Sequence, residues 1–136
     1  MNMTEAAYLY VEDDVLGREI MRMIMENVIG AADTYVFEDS ANFMDRLRAL
    51  PRKPDLIMLD IHIKPHDGME LLSMIRADAE YRHTRVIALT ASVMNEEVAE
   101  LRSSGFDGAI GKPLDIAVFP SLIARVLNGV PTWHVV

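Results

Sequence analysis

The chain has no cysteine. That excludes disulfides, thiolate metal sites and thiol nucleophiles, and it favours an intracellular setting. Basic charge is scarce: 13 Lys and Arg stand against 21 Asp and Glu, for a net charge of -8 and a pI near 4.9. The longest basic run is Arg52-Lys53. Binding to nucleic acid needs clustered Lys and Arg to neutralise phosphates, so a nucleic-acid partner is not expected. Long apolar runs are missing too. The first, Ala6 to Val11, is too short for a signal peptide or a membrane span, so a soluble, cytoplasmic protein without membrane contact is expected. There is no internal repeat and no low-complexity stretch. The acidic surplus admits two readings, plain solubility or an acid-lined metal site.

What the sequence does hold is 51% apolar residues in 136 positions, enough to bury one core and not two. Short apolar runs alternate with longer amphipathic ones, the pattern of βα units. Strands are expected at Ala7 to Val11, Thr34 to Phe37, Asp55 to Leu59, Arg85 to Leu89 and Gly108 to Ile110. The third and fourth are continuously apolar, as parallel strands covered on both faces must be. Between them, Ser40 is placed to cap a helix carrying Phe43, Leu47 and Leu50, and Asn95 to cap another with Glu96 and Glu97 at its positive end. Gly68 to Ala79 forms a third helix. The last begins at Pro120, which is tolerated only in a first turn, and leaves 114–119 as a turn. The expected fold is α/β, a (βα)5 doubly wound three-layer sandwich of flavodoxin-like type. Its five-stranded parallel sheet has the order 2-1-3-4-5. Residues 1–129 form the domain and 130–136 a C-terminal tail.

Ligands of such folds sit beyond the carboxyl ends of the strands, where the strand order reverses. Glu12, Asp13 and Asp14 follow strand one, Asp60 strand three, Thr90 strand four and Lys112-Pro113 strand five. Carboxylates crowded on one rim repel unless something neutralises them. An oxygen-only donor set favours a hard cation such as Mg²⁺. Lys112 supplies a point charge for a phosphoryl oxygen and Thr90 a hydroxyl. Asp60 ends the most buried strand and is the candidate nucleophile. Each residue also has an ordinary reading. Asp14 suits a helix cap, Thr90 a β-branched strand position, and Lys112 an exposed lysine. His62 and His66 suggest a metal pair, but Pro65 between them prevents a shared helical face.

The segments Y-L-Y-V-E-D-D, D-L-I-M-L-D with a downstream D-G, V-I-A-L-T-A-S and G-F-D-G-A-I-G-K-P each end a strand, in that order. Together they resemble the response-regulator receiver domain of two-component systems, within the CheY-like superfamily, over roughly 6–128. The resemblance implies that Glu12 and Asp13 form the acidic pair, with Asp13 the direct Mg²⁺ ligand. Asp60 becomes the phosphorylated residue and second ligand, and the backbone carbonyl of His62 a third. Thr90 becomes the switch hydroxyl, Lys112 the phosphate-pairing lysine, and Pro113 the residue that holds its loop. Two positions depart from the family pattern. Ala109 stands where an aromatic is usual three residues before the lysine, and Lys64 then Pro65 where a proline is usual four residues after Asp60. An alanine has no side-chain torsion to switch, so switching is expected to stay within the loop from Thr90 to Glu97.

The resulting expectation is a single-domain response regulator. It takes phosphate from a histidine kinase or histidine phosphotransfer protein and acts on a downstream protein target by contact, since only 24 residues follow Lys112. A homodimer is compatible with this reading. It is an acceptor and not an enzyme in the turnover sense. An aspartyl phosphohydrolase would carry a second acid two residues after the nucleophile, where His62 stands. A nucleotide or flavin module would need a Gly-rich loop in place of Glu12-Asp13-Asp14. A scaffold that is never phosphorylated would not need the full acid, Thr and Lys set. The apolar arc of helix one, with Ile20, Met21, Met23, Ile24, Met25 and Val28, is wider than one core contact needs, and Met21 and Met25 are expected to face a partner. The tail with Trp133 is either a strap on its own domain or a docking segment.

Overall fold

The structure, a computed structural model, describes residues 2–91 and 94–135. Strands β1 (Ala7–Val11), β2 (Asp33–Phe37), β3 (Leu56–Asp60), β4 (Arg85–Thr90) and β5 (Gly108–Gly111) alternate with helices. These are α1 (Val15–Met23), α2 (Phe43–Arg48), α3 (Gly68–Ala77), α4 (Asn95–Ser104) and α5 (Phe119–Leu127). A further strand, β6 (Thr132–His134), follows α5. The sheet is parallel throughout, in the order β2-β1-β3-β4-β5-β6. Successive strand residues point to opposite faces. Leu9, Val11, Ile57, Leu59, Val86, Ala88 and Ala109 therefore join the apolar layer that also holds α2, α3 and Leu101 of α4. Tyr8, Tyr10, Leu56, Met58, Ile87, Leu89 and Ile110 join the layer that holds α1 and α5. β1 and β3 are buried at every position, as their unbroken apolar sequence requires.

The sheet has six strands where five were expected. The tail supplies the sixth: Gly108, Ala109 and Ile110 pair with Thr132, Trp133 and His134. A Cβ on Gly108 would overlap the Thr132 carbonyl oxygen, so the small residue lets the added strand approach. Trp133 lies beside Ala109 on the α4 side, with the Arg102 guanidinium 4.7 Å from its ring centre. The three-residue length of β6 explains why its pattern did not read as a strand.

Helix starts differ from expectation in two places. The cap of α2 is Asn42, in the left-handed conformation, while the Ser40 hydroxyl is tied to both backbone polar groups of His66 at 2.7 Å. Asn95 is the first residue of α4, which leaves the cap position to Met94. α5 starts at Phe119 with Pro120 in its first turn. α1 runs on into a π-helical segment, Ile24–Ile29, closed by Gly30 at φ 76°. Met21 is the buried residue of α1, and the wider turn keeps Ile24, Met25 and Ile29 on the same side. Met21 and Met25 are thus fully buried, contrary to the partner-facing role expected of them. The exposed apolar residues of this region are Val15, Leu16, Ile20, Met23 and Val28.

Candidate functional site

The chain direction of a parallel sheet delivers the ends of β1, β3, β4 and β5 to one edge. Glu12 directly follows β1, its amide donating to the Phe37 carbonyl at 3.0 Å, and Asp60 is the last residue of β3. Asp14 caps α1 by accepting the Gly17 amide at 2.7 Å, which leaves Glu12 and Asp13 turned to the rim. Carboxylate oxygens of Glu12, Asp13 and Asp60 lie within 4.8 Å of one another. Among the described residues this is the one acidic or histidine cluster able to hold an ion. Glu12 and Asp60 are buried, at 3% and 8% exposure, while Asp13 is exposed. Lys112 enters from the end of β5, held by its amide on the Thr90 carbonyl at 2.8 Å. Its Nζ lies 2.5 Å from Glu12 Oε1 and 3.6 Å from Asp60 Oδ1.

Two buried carboxylates and one lysine make an unbalanced site. Burial works to raise Glu12, but hydrogen bonds from Asp60, Lys112 and Tyr10 outweigh it and bring its carboxyl down to about 2. Asp60 goes the other way. Burial first, then the hydrogen bond shared with Glu12, push it up to about 6 against the opposing charge of Lys112. Above that pH three carboxylates face one ammonium. Their oxygen-only chemistry and spacing fit a hard dication such as Mg²⁺, and one exposed ligand, Asp13, leaves a way in from solvent.

Glu12, Asp13, Asp60, His62 and Lys112 line one cavity of about 590 Å³, whose remaining wall is largely apolar, from Leu16, Ile20, Pro113 and Leu114. The His62 amide donates to Asp60 Oδ1 at 3.3 Å. Thr90 ends β4, buried, and lines the neighbouring cavity of about 190 Å³ with His62, Asp67 and Glu97. Ser92 of the fourth motif, and Val93 beside it in the expected switch loop, lie outside the described residues. His66 lies against Glu70, with its Nδ1 3.5 Å from the carboxylate. The peptide bonds Lys64–Pro65 and Lys112–Pro113 are both cis.

Several residues of the site went unread in the sequence. The Tyr10 hydroxyl donates to Glu12 Oε1 at 2.8 Å. Arg18 Nη1 reaches the carbonyls of Glu12 and Asp13, at 3.0 and 2.8 Å, and so fixes the acidic loop from the first turn of the next helix. Gly68 packs so tightly that a Cβ there would lie 3.0 Å from Ile61 Cα and 3.1 Å from the Asp60 carbonyl oxygen. It follows Asp67, whose side chain forms a reciprocal capping box with Glu70. The D-G step thereby seats α3 directly behind the Asp60 loop.

The sequence model of the response regulator receiver domain matches residues 8–124. The chain is 31% identical over 121 residues to the polar-differentiation response regulator DivK of Brucella anthropi, covering 88% of this chain and 94% of that protein. Among solved structures, the signal receiver domain of a signal transduction histidine kinase from Syntrophus aciditrophicus superposes with a TM-score of 0.77 at 30% identity, over 92% of each chain. The receiver domain of a sensor histidine kinase from Pseudomonas aeruginosa, solved with magnesium coordinated in its active-site cleft, gives 0.78 at 20% identity, over 91% of this chain and 98% of that one. The chain belongs to the response regulator receiver domain family.

Proposed function

We propose that this receiver accepts a phosphoryl group on Asp60 from a histidine kinase or histidine phosphotransfer protein. Its output is then a protein contact. The reading rests most on one observation: Lys112 Nζ stands between the buried carboxylates of Glu12 and Asp60. A lysine so placed neutralises part of the rim at rest and lies within a short movement of a phosphoryl oxygen on Asp60. Glu12, Asp13, Asp60 and the His62 carbonyl are the groups that would hold Mg²⁺, which when bound supplies charge neutralisation for the transferred group. The magnesium in the Pseudomonas receiver supports this assignment. Thr90 is the hydroxyl that would register the phosphoryl group, next to Lys112 through the backbone bond between them.

The acceptor role needs no general acid two residues after Asp60, where His62 stands with an exposed side chain. A phosphohydrolase would need one. Residues 1–129 then form the receiver unit, and the tail adds Thr132–His134 to its sheet edge. No helix among the described residues is long and apolar enough to cross a membrane. Transfer from a histidine-phosphorylated donor domain to wild type and to Asp60→Asn tests the proposal. Label is expected on wild type alone, and label on both would reject Asp60.

A further inference from the structure

Two donors share one oxygen of the Glu12 carboxylate. Tyr10 Oη donates to Oε1 at 2.8 Å and Lys112 Nζ donates to the same atom at 2.5 Å. The other oxygen, Oε2, takes a long 3.4 Å contact from the Asp14 amide, and the carboxyl also shares a hydrogen bond with Asp60. Glu12 is 3% exposed and Tyr10 2%, so solvent does not readily replace either donor. Lys112 Nζ is 3.6 Å from Asp60 Oδ1, beyond hydrogen-bond reach. Movement toward a phosphoryl group on Asp60 loosens the lysine's short contact with Glu12. If nothing else held Glu12, that movement would strand a buried carboxylate oxygen, and a buried acceptor without a partner opposes the movement strongly.

Tyr10 is placed to remove that penalty. It reaches Glu12 from β1 itself, two residues earlier on the same face of the strand, and its ring is packed in the α1 and α5 layer. Its position does not depend on where Lys112 goes. We infer that Tyr10 is a positioning residue that keeps Glu12 held when Lys112 leaves it for a phosphoryl group on Asp60. The inference rests on the phosphoacceptor reading of the site. It differs in its consequence, because it separates metal binding, in which Lys112 can stay on Glu12, from phosphoryl recognition, in which it shifts toward Asp60.

Tyr8 provides a matched control. It lies on the same strand and face, is equally buried, and donates its hydroxyl to the Met3 carbonyl at 2.7 Å, away from the acidic rim. The experiment is calorimetric titration of wild type, Tyr10→Phe and Tyr8→Phe with Mg²⁺ alone, and then with the phosphoryl analogue beryllofluoride in saturating Mg²⁺. Tyr10→Phe is expected to bind Mg²⁺ nearly as wild type does but to lose about tenfold or more in beryllofluoride affinity. Tyr8→Phe is expected to match wild type for both. If Tyr10→Phe fails to fold, Tyr10→Leu takes its place with the same expected split. Unchanged beryllofluoride affinity, or an equal loss for both ligands, overturns the handover role. Wild type that binds neither ligand overturns the phosphoacceptor reading itself.

Discussion

Asp60→Asn should stabilise the metal-free protein at neutral pH, because the wild-type site carries a charge it cannot pair. The Asp60 carboxyl is pushed up to about 6 by burial and by Glu12. A carboxyl raised in the folded state binds its proton more tightly folded than unfolded, so stability falls as pH rises through the interval from about 4 to about 6. At about 1.36 kcal/mol per pH unit, the loss is about 2–3 kcal/mol, complete above pH 6. Glu12 has the opposite sign. Held down to about 2, it adds stability as pH rises from 2 to its ordinary value and is flat thereafter. Metal-free wild type should therefore be most stable near pH 4–5 and decline toward pH 7, while Asp60→Asn shows no such decline. For a domain of this size each kcal/mol is about 3 to 5 °C in Tm, a difference readily seen in thermal unfolding with chelator present. Saturating Mg²⁺ should restore wild type at pH 7 and leave Asp60→Asn nearly unaffected. Equal Tm values for the two proteins at pH 7 in chelator would refute the charge-imbalance argument.

Asp13→Asn should weaken Mg²⁺ binding while Lys112→Ala leaves it intact or improved, since one removes a ligand and the other a competing cation; a metal titration with the reverse order would contradict this. Leu16→Glu with Ile20→Glu should slow phosphotransfer from a donor protein but not from a small phosphodonor, because both residues are exposed on the apolar wall of the Asp60 cavity. Equal slowing with both donors would contradict it. Gly108→Ala should lift β6 and red-shift the emission of Trp133, the only tryptophan, while phosphoacceptance persists; an unshifted spectrum would show that the strand tolerates the methyl group.

The central strands were legible because burial on both faces left β1, β3 and β4 as apolar runs, and Glu12 to Asp13, Asp60 and Thr90 could be read from where those runs stop. The edge was not. β6 is three residues held by a register with Gly108 and by Trp133 beside Ala109, and nothing local in Thr132-Trp133-His134 announces a partner 24 residues earlier in the chain. The methionine arc misled because its two ends lie on the buried side: Met21 is the buried residue of α1, and the wider turn of the π-helical segment, which 100° per residue does not describe, keeps Met25 there as well. Ser40 reads as a cap in any sequence, and only the tertiary approach of His66 diverts its hydroxyl. Tyr10 looked like one more apolar strand residue, because its ring fills the core while its hydroxyl alone reaches the site.

The central claim is tested most directly by the intact mass of the protein after incubation with a small phosphodonor and Mg²⁺. Wild type should gain the mass of one acid-labile phosphoryl group, lose that gain when chelator replaces Mg²⁺, and Asp60→Asn should gain none. Equal labelling of Asp60→Asn, or labelling of wild type that is indifferent to Mg²⁺, would contradict the assignment of Asp60 and its acidic neighbours.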